Sequence, residues 1–366
     1  MLKHTDHFHG SDLEKIEQIY GIKKEDIVSF SANVNPLGLS YKLRQCLSEH
    51  LDAITSYPDR EYTGLRKIIA DYAGTDYERV LVGNGSTELI SLFINQIHPE
   101  KAMILGPTYS EYEREVSLGG GTSLYFPLEE KKEFHLDVER LKSELNESID
   151  LLILCNPNNP TSSAITKKEM RSILDVCKIH DIFVMVDETY IEFAQNFDEI
   201  CSVPLTASYN NLIILRGISK FFASPGLRLG YAITGNTDLI NEINAHKNPW
   251  TINSLAEVAG KLMFTDEDYI HETKTLISGE RDRMLAALRA SNALKVYEPT
   301  ANFVLVKLLN DNRNADELFD IAIRQNMMIR NCSSFPFLDN RYFRICFMKP
   351  EDNERLLECI LKYVEA

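Results

Sequence analysis

The feature that most constrains the fold is a series of short, continuously apolar runs separated by longer stretches, several of them amphipathic. The runs occupy residues 80–82, 102–105, 151–154, 182–186, 212–215 and 229–233. Strands buried on both faces have this composition, and the helices that cross over between parallel strands supply the amphipathic stretches. The alternation therefore predicts an α/β fold with a mostly parallel central sheet.

Two of the amphipathic stretches show helical spacing. Apolar residues recur at i, i+3, i+4 and i+7, and the two sets are Met170, Ile173, Leu174 and Cys177, and Leu65, Ile68, Ile69 and Tyr72. Each set lies on one face of a helix, so both stretches are predicted to be amphipathic helices.

The pattern changes from about residue 280 onward. Residues 303–307 and 342–347 are typical of strands, and a closing helix has one apolar face, formed by Leu356, Leu357, Ile360, Leu361 and Val364. We therefore expect a large domain at residues 40–280 and a small α+β domain formed by residues 1–39 and 281–366.

The formal net charge of −15 limits the partners, because such a surface repels nucleic acid and anionic membranes. No apolar run approaches the roughly 18–20 residues that span a bilayer, and the N-terminus carries no apolar signal core. The seven cysteines are scattered without a CxxC pair, which argues against a disulfide framework and a structural zinc site. We expect a cytoplasmic protein.

Residues 83–90, GNGSTELI, combine glycines with the start of a helix. The free N–H groups and the dipole of a helix N-terminus favour an anion, and Ser86 and Thr87 add hydroxyl donors. The alternative is a glycine turn followed by an ordinary Ser/Thr cap. The stretch lacks the GxxxxGKS/T pattern, so a nucleotide-triphosphate loop is not indicated.

Asp187 closes the apolar run at 182–186, where an unpaired carboxylate is costly, so we expect it to have a cationic partner. A protonated pyridine nitrogen meets that need, and a ring that keeps this proton acts as an electron sink. The alternative is that Asp187 caps the next helix. Tyr190, three residues on, could reach the hydroxyl group of such a ring.

Lys220 follows the run at 212–215 and comes directly after Ser219. Lysines in such places are more commonly solvated surface charges. A Schiff-base lysine instead needs a partly desolvated, cation-rich site that keeps its amine nucleophilic. Arg228 can supply that cation and also bind a phosphate. Asn159, in the turn after residues 151–154, can donate its amide to a ring oxygen, although the stretch alone is only a turn.

In their order and spacing these residues resemble the fold-type-I class I and II aminotransferases, and the resemblance covers nearly the whole chain. It implies an aspartate-aminotransferase-like fold and pyridoxal 5′-phosphate (PLP) as the cofactor. It also implies that Lys220 is the covalent anchor and proton shuttle and that Asp187 pairs with the ring nitrogen. Ser162 stands where the usual family turn has glycine, and we expect it to alter the turn geometry slightly but not the chemistry.

The same resemblance assigns the remaining cofactor contacts. The Gly-Ser-Thr stretch at Gly85 belongs to the family pattern, Tyr109 stacks on the ring, and Asn159 and Tyr190 contact the ring oxygen. Four residues hold the cofactor phosphate, namely Ser86, Thr87, Ser219 and Arg228. Tyr57 resembles the family tyrosine that reaches the neighbouring subunit's cofactor phosphate, which implies a homodimer with shared active sites.

Two branches of the family resemble this chain most, the histidinol-phosphate aminotransferases and the threonine-phosphate decarboxylases. Residues 9–38 are most similar to the decarboxylases, although Ser11 replaces the second glycine of their His-Gly-Gly opening. By this resemblance Arg344 binds the substrate α-carboxylate with a bidentate fork and Arg330 binds a substrate phosphate. The pocket is completed by His9, Gly10 and Asn33. The alternatives are surface ion pairs for the arginines and a loose terminal histidine.

The expected reaction is transamination of a phosphorylated amino compound, since most proteins with these residues are transaminases. Decarboxylation of O-phosphothreonine is the first alternative, because the N-terminal segment favours it. A non-catalytic regulatory protein on the same fold is the second alternative. The intact Lys220, Asp187 and Arg228 argue against it, as does the lack of a basic segment.

Overall fold

The structure is a computed structural model that describes residues 12–365. Its strands, in chain order, are β1 (Val28–Ser29), β2 (Val80–Gly83), β3 (Lys101–Gly106), β4 (Thr122–Pro127), β5 (Leu151–Cys155), β6 (Phe183–Asp187), β7 (Leu212–Gly217), β8 (Gly230–Thr234), β9 (Leu294–Val296), β10 (Phe303–Leu308), β11 (Met327–Met328), β12 (Arg330–Asn331) and β13 (Tyr342–Cys346).

The α-helices, in chain order, are α1 (Leu13–Tyr20), α2 (Tyr41–Glu49), α3 (Thr63–Ala73), α4 (Gly85–Ile97), α5 (Glu111–Leu118), α6 (Val138–Glu144), α7 (Lys167–Ile179), α8 (Phe197–Ile200), α9 (Thr237–His246), α10 (Ser254–Met263), α11 (Glu267–Arg289), α12 (Ala315–Ile323) and α13 (Pro350–Glu365). None of the helices in the described residues combines the length and the apolar composition that crossing a membrane requires.

Helix α7 shows how the apolar spacing becomes structure. Its four buried side chains are the predicted ones, Met170, Ile173, Leu174 and Cys177. The helix begins with a capping box in which the Thr166 hydroxyl accepts from the Glu169 N–H and the Glu169 carboxylate accepts from the Thr166 N–H. The cap satisfies N–H groups that a helix start leaves without partners, so the apolar face and the cap together fix where the helix lies.

The central sheet has seven strands in the order β2-β8-β7-β6-β5-β3-β4. Five adjacent strands run parallel to one another, namely β7, β6, β5, β3 and β4. Strand β8 is antiparallel to both of its neighbours, β2 and β7. The predicted α/β architecture with a mostly parallel sheet is therefore confirmed. The edge strand β4 is missing from the prediction because its first four positions alternate between exposed and half-buried and only Phe126 is buried, so it lacks the composition of a strand covered on both faces.

A second, antiparallel sheet has the order β12-β13-β10-β9 and contains both strands predicted near the C-terminus. The short strand β1 pairs with β11, with Val28 opposite Met327, and so ties the N-terminal segment to this part of the chain. This pairing agrees with a small domain drawn from both ends of the chain. The domain boundaries stay a prediction, and the one at residue 280 falls inside the continuous helix α11.

The cysteines, all within the described residues, are unpaired, and every one except Cys46 is buried. Six of the seven thiols are therefore shielded from solvent.

Candidate active site

A cavity of about 430 Å³ lies where strands of the central sheet end. The four-stranded antiparallel sheet β12-β13-β10-β9, the small sheet, lies on its other side. Eleven of the predicted site residues line it: Ser86, Thr87, Tyr109, Asn159, Asp187, Tyr190, Ser219, Lys220, Arg228, Arg330 and Arg344. They come from segments that lie far apart in the sequence. The fold therefore gathers them into one place, as expected for the carboxyl ends of strands in an open α/β sheet.

Lys220 is half-buried in the loop that follows β7. Its Nζ donates to the carbonyl oxygen of Ala32 at 2.7 Å. Burial lowers the pKa of Lys220 from the ordinary value of 10.5 to about 8, and the positive charges of Arg344 and Arg228 act in the same direction. The surroundings therefore enlarge the neutral, nucleophilic fraction of the amine at physiological pH relative to a solvated lysine.

The lowered pKa predicts how the cofactor-free protein reacts with an aldehyde such as PLP. Only the neutral amine attacks, so the rate of attachment at Lys220 should rise about tenfold per pH unit below its pKa of about 8 and level off above it. Stopped-flow absorbance measurements from pH 6 to pH 10 test this. A rate that still rises steeply beyond pH 9, as for a solvated lysine, would show that the amine is not desolvated.

Asp187 ends β6 and is 5% exposed. One carboxylate oxygen accepts from the Tyr112 hydroxyl at 2.7 Å. The other accepts from the Thr189 N–H at 2.9 Å and from its hydroxyl at 2.5 Å. These donors are neutral and hold the carboxylate in one orientation, and neither residue was predicted from the sequence. The contacts leave the charge of Asp187 available for a cationic group in the cavity.

The start of α4 forms a narrow cradle. Gly85 has a φ of 77°, and a Cβ at this position would lie 2.3 Å from Nη2 of Arg228. A Cβ at Gly230 would lie 2.4 Å from the backbone nitrogen of Ser86. Side chains at either glycine would push the Arg228 guanidinium and the helix N-terminus apart, so the two glycines allow both to face one spot. That spot suits a phosphate group.

Tyr190 and Asn159 lie between the two sheets. The Tyr190 hydroxyl accepts from Asn33 Nδ2 at 3.4 Å, and its ring meets Phe303 edge-on at 4.9 Å. Asn159 Oδ1 accepts from Nη1 of Arg344. Asn33 is buried behind Tyr190, and its Oδ1 has no partner among the described residues. Burial raises the pKa of Tyr190, which keeps the phenol protonated and able to donate.

Tyr109 is half-buried at the cavity wall, with its ring edge-on to Tyr112 at 5.6 Å. Burial is the main cause that raises its pKa to about 12, so it is a neutral aromatic surface at physiological pH. This placement suits a side chain that packs against a flat ring.

Arg330 and Arg344 stand directly opposite each other on β12 and β13. Arg344 is 4% exposed, and its Nη2 donates to the Ser31 carbonyl at 2.6 Å. Its Nε and the Ser31 hydroxyl are buried without partners in the described residues. Burial and the charge of Arg344 lower the pKa of Arg330 to about 10, which leaves Arg330 cationic at pH 7. Two adjacent cations with unused donors suit a substrate with more than one anionic group.

The remaining site predictions concern His9, Gly10 and Tyr57. His9 and Gly10 lie outside the described residues. Tyr57 is 78% exposed and packs on Trp250 with ring centroids 4.7 Å apart, away from the chain's own cavity lining. An exposed side chain is accessible to a second subunit. Because the structure contains one chain, the contact of Tyr57 with a neighbouring subunit's cofactor stays a prediction.

Several residues that line the cavity were not predicted from the sequence, among them Ser31, Ala32, Tyr112, Thr189 and Phe335. Ser31 and Ala32 belong to residues 9–38, whose resemblance to the decarboxylases offered a signal, and Tyr112 lies three residues after Tyr109. Phe335 carried no signal, because only the fold brings its ring 5.1 Å from the Arg330 guanidinium.

Comparisons with known proteins agree with this geometry. The sequence model of the family described as aminotransferase class I and II matches residues 25–360. The threonine-phosphate decarboxylase of Salmonella typhimurium is 31% identical over 96% of this chain and 95% of its own length. The histidinol-phosphate aminotransferase of Clostridium novyi is 34% identical over 91% of this chain and 90% of its own length. The crystal structure of the histidinol-phosphate aminotransferase of Clostridium acetobutylicum has a TM-score of 0.86 and 32% identity, covering 92% of this chain and 98% of that one.

Proposed function

This chain belongs to the class I and II aminotransferase family of PLP-dependent enzymes, and we propose that it transfers the amino group of a phosphorylated amino compound. The observation that carries the proposal is the cross-strand pair of Arg330 and Arg344, which faces the cavity that contains Lys220. A single anionic group needs one arginine fork, so two adjacent cations suit a site that receives both a phosphate and a carboxylate, on one substrate or on the amino donor and the amino acceptor in turn.

The residues present fit the cofactor. The cradle formed by Gly85, Gly230 and Arg228 leaves room for a phosphate at a helix N-terminus, and Asp187 offers a fixed buried carboxylate. Lys220 would hold the cofactor covalently through Nζ, and Asp187 would keep a proton on its ring nitrogen. Its phosphate would be held by Ser86, Thr87, Ser219 and Arg228, its ring by Tyr109, and its ring oxygen by Asn159 and Tyr190. When bound, PLP supplies an electron sink for a bond broken at the substrate Cα.

Substrate orientation falls to the small-sheet residues. Arg344 binds a carboxylate through donors left free by Asn159 and Ser31, and Arg330 binds the phosphate. His9 and Gly10 belong to the same proposed pocket. Because Arg344 is buried and its cationic neighbour lies directly across the strand pair, the bound anions are held away from water, which strengthens both contacts.

Proton transfer falls to Lys220. Its amine, with a pKa lowered to about 8, accepts a proton at Nζ from the substrate Cα and returns it later in the reaction. The burial that lowers the pKa also keeps competing water away from Nζ. Transamination needs this base, whereas loss of a carboxylate does not.

Decarboxylation of O-phosphothreonine is the second candidate. The specific observation that favours it is the N-terminal segment, where Ser31 and Ala32 contact Arg344 and Lys220 through their carbonyl oxygens. This stretch is the part of the sequence that most resembles the decarboxylases.

A parallel assay separates the two reactions. Purified enzyme with PLP is incubated with histidinol phosphate and 2-oxoglutarate, and the keto product is measured. A second sample receives O-phospho-L-threonine, and released carbon dioxide is measured. Keto product without carbon dioxide supports the transaminase, and the reverse result supports the decarboxylase. Absence of both products would contradict the proposed substrate class.

Arg330→Ala is expected to lower kcat/KM selectively for phosphorylated substrates. A charge-assisted contact contributes about 1.5–3 kcal/mol, so kcat/KM for the phosphorylated substrate should fall roughly 10- to 150-fold. An unphosphorylated amino acid that contacts Arg344 should change less than about threefold. Arg324→Ala, which removes an exposed arginine paired with Asp320 elsewhere on the small domain, serves as the control. Equal losses for both substrate types would show that Arg330 does not read the phosphate.

A homodimer in the cytoplasm completes the proposal. Large exposed apolar side chains near the start of the chain, Tyr41, Leu51, Ile54 and Tyr57, support a contact between two copies. The unpaired cysteines support a reducing compartment. Sedimentation analysis at several concentrations tests the dimer.

A further inference from the structure

Ser162 occupies an unusual place in the turn that carries Asn159. Its side chain is fully buried, and its backbone φ is 60°. Glycine adopts this left-handed conformation freely, whereas a Cβ disfavours it. The backbone of the turn thus has the form that suits glycine, and the serine adds only its hydroxyl group. A buried hydroxyl at a disfavoured φ calls for a role.

The Ser162 hydroxyl joins two parts of the fold. Its Oγ accepts from the N–H groups of Thr300 at 3.1 Å and of Ala301 at 2.9 Å. The Ser162 carbonyl also accepts from the Thr300 N–H at 2.9 Å. Thr300 and Ala301 lead directly into β10 of the small sheet. The Ala301 N–H has Ser162 Oγ as its acceptor, and glycine at position 162 would take that acceptor away.

The loop at residues 300–302 is held from further sides. Asn302 Nδ2 donates to the Asn33 carbonyl at 3.1 Å, and Arg281 Nη2 donates to the Ala301 carbonyl at 2.9 Å. The loop continues into β10, where Phe303 lies 5.2 Å from the Arg344 guanidinium and Leu305 pairs with Arg344. A shift of this loop therefore shifts the strand that sets the position of Arg344.

The same turn contacts Arg344 from the opposite side, because Asn159 accepts from Nη1 of this arginine. Ser162 and Asn159 thus hold the small sheet at two points, one at the entry of β10 and one at the guanidinium. We propose that Ser162 is a positioning residue that fixes Arg344 for substrate binding. The step from fixed geometry to substrate affinity rests on the proposed function, but the hydrogen bonds themselves do not. A pre-arranged arginine pays less ordering entropy when the substrate binds.

Ser162→Gly in the full-length, PLP-loaded enzyme tests the inference, since glycine suits the left-handed backbone and removes the hydroxymethyl side chain. Hydrogen exchange at the Ala301 amide, measured without substrate, should accelerate about tenfold, the effect of losing a buried hydrogen bond. The Thr300 amide keeps the Ser162 carbonyl as its acceptor and should change less. KM should rise about tenfold for O-phospho-L-threonine and for L-glutamate, with kcat changed less than about twofold. Ser163→Ala is the control, because its hydroxyl contacts Thr161 within the same turn and does not reach residues 300 and 301.

Each result decides a separate point. Unchanged exchange at Ala301 would overturn the hydrogen-bond arrangement. Faster exchange with unchanged KM for both substrates would overturn the positioning role. An equal rise of KM in Ser163→Ala would also overturn it, since any disturbance of the turn would then suffice. If wild-type enzyme accepts L-glutamate but no phosphorylated compound, the proposed function fails while exchange and the KM for L-glutamate still decide the role of Ser162.

Discussion

Lys220→Ala protein, purified in the presence of PLP, is expected to lack the visible absorbance of a lysine-bound cofactor and to lose at least about 10³-fold in kcat. The change removes both the covalent anchor and the base that accepts the Cα proton. The nearest described groups replace it poorly, because Ala32 offers a carbonyl oxygen, Arg344 and Arg228 are cations, and the Asp187 carboxylate is reserved for the cofactor ring. The measurements are an absorbance spectrum and a steady-state rate.

Lys247→Ala is a matched control for this variant. Lys247 is also half-buried, donates to a backbone carbonyl, that of Val82, at 2.7 Å, and has a pKa lowered mainly by burial. It lies outside the cavity lining, so its loss should leave the absorbance band and kcat nearly unchanged. A Lys220→Ala protein that keeps the band, or a Lys247→Ala protein that loses it, would contradict the assignment of the anchor.

Asp187→Asn is expected to lower kcat by about 10²- to 10³-fold while leaving the fold intact. Asparagine has nearly the same shape, and its single oxygen can still accept from Thr189 while its amide group donates to the Tyr112 hydroxyl oxygen. It carries no charge, however, to keep a proton on the cofactor ring. The loss should therefore fall on kcat more than on KM, and the absorbance of the bound cofactor should change with it.

Tyr112→Phe separates charge from orientation at Asp187. It removes one donor, at 2.7 Å, and leaves the carboxylate charged, with Thr189 still holding the other oxygen. We expect kcat to fall no more than about tenfold, the effect of one hydrogen bond. A Tyr112→Phe variant as slow as Asp187→Asn would show that orientation, and not charge, is the contribution of this group. An Asp187→Asn variant within tenfold of wild type would remove Asp187 from the mechanism.

The sequence indicated those parts of the fold in which composition is dictated by burial on both sides. The strands β5, β6 and β7 are buried along nearly their whole length, so each leaves an apolar run that is readable without a structure. The edge strand β4 and the short strands β11 and β12 are not readable in this way. β4 is exposed at alternate positions, and two-residue strands exist only because a partner strand lies beside them.

The candidate site was readable to the extent that its residues follow buried strands. Asp187 and Lys220 stand at such positions, and the cavity contains both. Tyr112 and Thr189 could not be identified, because donors to a carboxylate are chosen by distances that the fold creates. The sequence also predicted a cationic partner for Asp187. Within residues 12–365 its hydrogen bonds come only from neutral donors. This arrangement suits a carboxylate that pairs with a cationic ligand.

Ser162 illustrates a departure whose effect the sequence did not reveal. The expectation was a slight change of turn geometry. The structure instead shows a left-handed backbone and a hydroxyl bound to two N–H groups more than 130 residues away. The consequence of such a substitution depends on what lies opposite the side chain, and only the fold supplies that information.

Borohydride reduction of the purified, PLP-loaded wild-type enzyme, followed by peptide mass mapping, locates the covalent anchor directly. The reduced cofactor is expected on the peptide that contains Ser219 and Lys220, at Lys220, with about one cofactor per chain. Label on any other lysine, or no label in a protein that nevertheless binds PLP, would contradict a cofactor held between Lys220 and Asp187.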